Sequence, residues 1–90
     1  MSVSTTERLL LVRQIIKTHG RLSVDLDTLP DDADLHHAGM TSHATVTVML
    51  ALENTFDVEF PDHLLTRSVF QSVASVAAAL DGLLTRPSGS

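Results

Sequence analysis

The sequence predicts an all-α domain: a small irregular four-helix bundle with a short third helix and a long loop between the first two. Three observations predict it. Apolar residues recur every three or four positions in separate segments. Glycine, proline and acid clusters punctuate the chain between them. No segment with strand-like alternation has an evident partner. Ninety residues make one domain with one core, and a hydrophobic fraction of 43% is enough to fold it while leaving little interior for an active site.

The first helix is expected over about residues 4–18. Ser4 and Glu7 have the spacing of a capping box. Leu9, Val12 and Ile16, with Leu11 and Ile15 beside them, make one broad apolar face. Gly20 is placed to end the helix in the left-handed conformation. Residues 21–41 show no sustained helical period. Leu22, Val24, Leu26, Leu29 and Leu35 are spaced among acids and Pro30, so the segment reads as an ordered loop pinned to the core, with a short strand at 22–26 as a further possibility. A connection of this length is usually functional or disordered.

The second helix should run from about Ser42 to Thr55, with Thr41 as N-cap. Thr45, Val48, Met49, Leu52 and Phe56 form its core stripe. Val46 and Leu50 form a second apolar stripe, with His43, Thr47 and Asn54 around it. That stripe either packs on the long loop or is exposed as a patch for a partner. Pro61 disfavours helix at Phe60 and opens a short third helix to about Arg67. The last helix is expected from Phe70 or Ser72 to Leu84, with Val73, Val76, Ala77, Leu80 and Leu84 inward. Residues 1–84 form the domain and 85–90 a tail outside the fold.

Charge and composition exclude several function classes. Six Lys plus Arg against eleven Asp plus Glu give a net charge of −5, which argues against binding nucleic acid through its phosphates. Asp25, Asp27, Asp31, Asp32, Asp34, Glu53, Asp57, Glu59 and Asp62 fall between Leu22 and Thr66, where there is no Lys or Arg. This field suits either solubility or a basic partner. No cysteine is present, which excludes disulfides, thiolate zinc sites and thiol catalysis by the chain itself. No apolar run suits a membrane span, and no secretory signal is evident, so a cytoplasmic monomer is expected. His36, His37, His43 and His63 lack the i, i+4 spacing of a helical metal site, so no metal is expected. Ser42 and His43 diverge on a helix and lack a nucleophile-elbow pattern, so no hydrolase, and no enzyme activity, is expected.

The segments DLHHAGMTS, residues 34–42, and LENTFDVEFPD, residues 52–62, carry the main functional signal. From the residues alone, Thr41 and Ser42 are ordinary helix-capping types. A serine hydroxyl there also faces outward near free N–H groups and the positive end of the helix, where a phosphate is favoured. Gly39 removes a side chain where a modifying enzyme must approach.

Together the two segments resemble the acyl carrier protein family, which has D-L-x-x-x-G-x-D-S before and into its second helix and a Phe-Asp-x-x-x-Pro segment after it. The resemblance spans about residues 5–84. It implies an acyl carrier protein-like fold and a covalent 4′-phosphopantetheine from coenzyme A on Ser42, within the Gly39, Met40, Thr41, Ser42 segment. A phosphopantetheinyl transferase would attach it, and its thiol would hold cargo as a thioester. Thr41 replaces the usual Asp, and His43 the usual Leu. Thr47 and Asn54 fall where fatty-acid carriers often have carboxylates, which implies partner recognition through His43, Val46, Thr47 and Leu50 that is more apolar than electrostatic. The stretch from Gly39 to Leu65 is further similar to small stand-alone bacterial aminoacyl carriers. These receive an amino acid, such as glycine or alanine, from a class II seryl-tRNA-synthetase-like amino acid:[carrier protein] ligase and pass it to an acceptor that the sequence does not identify. The alternative is a carrier-fold interaction module that has lost its arm.

Overall fold

The structure, a computed structural model, describes residues 5–85. Among them are three α-helices: α1 (Thr5–His19), α2 (Ser42–Phe56) and α3 (Val73–Thr85). Two single-turn 3-10 helices, Leu26–Thr28 and Asp62–Leu64, lie in the connections. Helix α1 packs against both α2 and α3. The core between them holds Val12, Ile15 and Ile16 of α1, Ala44, Val48 and Leu52 of α2, and Val73, Val76 and Leu80 of α3. Ser4 of the expected capping box and residues 86–90 of the expected tail lie outside the described residues.

The end of α1 differs from expectation. Gly20 still donates to the Ile16 carbonyl, N···O 2.7 Å, and the left-handed step falls on Arg21, at φ 54°. Gly20 is needed for space: a Cβ there would lie 2.6 Å from the Ile16 carbonyl oxygen. Leu11, expected on the apolar face, is exposed, because the buried arc is centred on Val12 and Ile16 and leaves Leu11 at its edge.

No strand forms at 22–26. Asp25 instead caps the 3-10 turn that follows, accepting from the Asp27 N–H at 3.0 Å. The physical reason is an anchor on α1. Arg13 donates from Nη2 to the carbonyls of Leu26 (2.7 Å) and Leu29 (2.9 Å) and pairs through Nη1 with Asp31. Three groups of the loop therefore converge on one guanidinium, and a turn places them there where a strand would not. Leu26 and Leu35 are buried, Leu22 and Leu29 partly so, and Val24 is exposed. Two backbone bonds tie the loop to the start of α3: Leu35 N–H to Gln71 O (2.7 Å) and Ala74 N–H to Asp31 O (2.8 Å).

Helix α2 ends at Asp57, which adopts the left-handed conformation at φ 53°, a position aspartate tolerates better than most residues. The acid of α2, Glu53, accepts the Phe60 N–H at 2.8 Å and so fixes the chain leaving the helix. Phe60 then packs on Phe70, with ring centroids 5.7 Å apart. The short third helix expected to Arg67 is only the 3-10 turn Asp62–Leu64, so the described residues hold three α-helices where four helices were expected. Pro61 supplies the start, but Leu65 leaves helical geometry at φ −85°, ψ 63°. Helix α3 is opened by a reciprocal cap: Ser75 N–H donates to Ser72 Oγ and Ser72 N–H to Ser75 Oγ, both at 3.0 Å.

Candidate functional site

The site is built around the first turn of α2. Thr41 is the N-cap, in extended conformation, and its Oγ1 accepts from the Ala44 N–H at 3.1 Å. Its carbonyl accepts the Thr45 N–H at 2.9 Å. Ser42, the next residue, is exposed, and its hydroxyl has no hydrogen-bond partner among the described residues. Thr41 therefore does structurally what an aspartate would do at an N-cap, without the charge.

Gly39 and Met40 position this turn from behind. Gly39 has φ 114°, and a Cβ on it would lie 2.8 Å from the Ser23 backbone nitrogen. The close approach lets the Ser23 N–H and Oγ both donate to the Ala38 carbonyl at 2.9 Å. The glycine thus serves the loop's own packing, where the sequence suggested clearance for an approaching enzyme. Met40 is only 3% exposed and donates its N–H to Leu35 O at 3.0 Å. It is a core anchor. Asp34 closes the same turn, accepting the N–H groups of His36 (2.9 Å) and His37 (3.1 Å). The His37 N–H, helped by that of His36 and by the positive charge of Arg67, holds the Asp34 carboxyl below the usual aspartate range.

Beside Ser42 lies an open groove of about 290 Å³. His36, Ser42, Thr45, Val46 and Met49 line it from the loop and α2, and Leu65, Thr66, Arg67 and Phe70 from the segment before α3. Thr45, placed in the core stripe by periodicity, lies here, and Ala44 takes the core position instead. The second stripe on α2 does not pack on the long loop: Val46 is 51% and Leu50 55% exposed. His43 is exposed beside them. Thr47 is half-buried, its hydroxyl donated to the His43 carbonyl at 3.3 Å, which leaves it less available to a partner than the sequence implied. Sequence reasoning missed the groove's second wall. Its signals were present in Arg67, the first base after Arg21, and in Leu65, which is exposed next to a proline-opened turn.

Among the described residues no three His, Asp or Glu side chains converge as for a metal ion. No helix there is long and apolar enough to cross a membrane.

Known proteins place this geometry in a class. Residues 11–80 match the family described as "Phosphopantetheine attachment site". The chain belongs to that family, the phosphopantetheine-dependent carrier proteins. An exposed, unbonded serine hydroxyl beside an open groove fits that covalent group. Over 65 residues the chain is 45% identical to an aminoacyl carrier protein from Agrobacterium fabrum (strain C58), covering 72% of this chain and 78% of that one. It is also similar to a chain in the crystal structure of an engineered Bradyrhizobium japonicum glycine:[carrier protein] ligase complexed with carrier protein from Agrobacterium tumefaciens and ATP. The TM-score is 0.81 at 38% identity, over 84% of this chain and 99% of that chain. A third similarity is to the B. japonicum ligase complexed with glycylated carrier protein, with TM-score 0.69 and 25% identity, over 80% of this chain and 96% of that chain.

Proposed function

We propose that this chain carries an activated amino acid on a 4′-phosphopantetheine attached to Ser42. The observation that carries the reading is the exposed Ser42 hydroxyl on the first turn of α2, flanked by an apolar surface that no part of the described chain covers. When bound, the group supplies a terminal thiol that the cysteine-free chain lacks. The chain's own residues present and orient it. Thr41 fixes the helix start, Gly39 and Met40 fix the loop behind it, and the N-terminal dipole of α2 favours the phosphodiester. The chain supplies no catalytic groups of its own.

The partner surface is Val46 and Leu50 with His43 at its edge. Its apolar character suits a ligase that docks by burial more than by charge. The similarity to carriers complexed with glycine:[carrier protein] ligase supports a class II synthetase-like ligase as loading partner and a small amino acid as cargo. A phosphopantetheinyl transferase attaches the arm, and a further acceptor takes the cargo. The carrier unit spans residues 1–84 and works as a cytoplasmic monomer.

Intact mass after incubation with coenzyme A, magnesium and a broad transferase tests the attachment. Wild type should gain one phosphopantetheine and Ser42→Ala none, with unchanged helical circular dichroism. Modification of Ser42→Ala would overturn the assignment. Adding glycine, ATP and a ligase of this class to the modified protein should then add one glycyl group. Val46→Glu should reduce the rate of that step at least tenfold while leaving thermal unfolding unchanged.

A further inference from the structure

We propose that Arg67 binds the phosphodiester carried on Ser42 and thereby seats the near part of the arm in the groove beside α2. The inference rests on the reading of Ser42 as the attachment residue and adds a residue to it. Ser42 and Arg67 line the same groove although they are far apart in sequence. Arg8, Arg13 and Lys17 are each in ion pairs, with Asp81, Asp31 and Asp27. Arg67 has no such pair among the described residues. Asp34, which feels the Arg67 charge, accepts the His36 and His37 N–H groups on Oδ1 and forms no ion pair with Arg67 among the described residues.

The position of Arg67 is built. The turn that presents it is closed by Thr66, whose Oγ1 accepts the Val69 N–H at 3.3 Å and whose carbonyl accepts the Phe70 N–H at 3.4 Å. Attachment places a new negative charge in a segment that already holds nine acids and no Lys or Arg between Leu22 and Thr66. A guanidinium matches phosphate oxygens in charge and in its forked geometry. Next to it, Val46, Met49 and Leu65 offer apolar contact suited to the dimethyl carbon of pantetheine. His36 adds a second polar indication. Its side chain lines the groove together with Ser42 and Arg67.

The test compares apo and phosphopantetheinylated full-length protein by NMR, with intact mass confirming the modification. The Arg67 Nε–Hε resonance should move on modification by several times the change at Arg21, and the Val46, Met49 and Leu65 methyl signals should move with it. In modified Arg67→Gln those methyl changes should fall to less than half, and Arg67→Lys should restore part of them. Full modification without movement of the Arg67 resonance would overturn the role of Arg67 and leave Ser42 standing. A protein that gains no mass would overturn both.

Discussion

Gly39 and Arg13 show how much of this site is set by single residues that never touch the cargo. Gly39 sits at φ 114° with Ser23 against its open side. Gly39→Ala should therefore cost about 1–3 kcal/mol through backbone strain, measured as a lower urea midpoint. Arg13 holds two carbonyls and a carboxylate of the long loop. Arg13→Met keeps the aliphatic stem but loses those bonds, and should cost about 1.5–3 kcal/mol. Hydrogen exchange should rise first at Thr28 and Leu29, whose amides close the 3-10 turn. A uniform rise across the chain would mean that the loop has no separate anchor.

Helix α2 has one buried face and one exposed apolar stripe, and residues two apart separate them. Leu52 is fully buried and Leu50 is more than half exposed. Leu52→Ala should cost about 2–5 kcal/mol, whereas Leu50→Ala should change stability by less than about 0.5 kcal/mol. Denaturant unfolding of the pair checks this directly. If the two variants lost equal stability, the exposed stripe would be part of the core and not a docking face. Glu53 belongs to neither face. It accepts the Phe60 N–H, so the acid of α2 has a structural duty.

Across the whole molecule, a few surface charges make the stability of the fold depend on pH. Asp34 is held below the usual aspartate range chiefly by the His37 N–H, and Asp27 chiefly by its hydrogen bond with Lys17. A carboxyl lowered on folding contributes stability that is fully present above its unfolded value of about 3.9 and is lost as pH falls through the lower folded value. Lys17 is raised by the same bond with Asp27. Its contribution is present below its unfolded value of about 10.4 and is lost as pH rises through the folded one. The melting temperature should drop on the acid side of about pH 4, and Asp34→Asn should flatten that limb. An unchanged acid limb in the variant would remove Asp34 from the account.

The sequence by itself determined the helical class, α1, α2 and α3 to within a few residues, the Thr41 cap, most of the core and the carrier family. Each is written in local spacing or in a contiguous motif, where hydrophobic period and capping chemistry act over one or two turns. Tertiary structure decided what depends on distant partners. It placed Arg13 under the long loop, so that a turn formed where a strand was considered. It ended the turn after Pro61 early, because Phe60 and Phe70 pack together and draw the chain toward α3. It exposed Val46 and Leu50, and it brought Leu65 and Arg67 beside Ser42. A groove whose two walls lie sixteen or more residues apart has no periodicity of its own, so only the placement of the segment before α3 beside α2 reveals it.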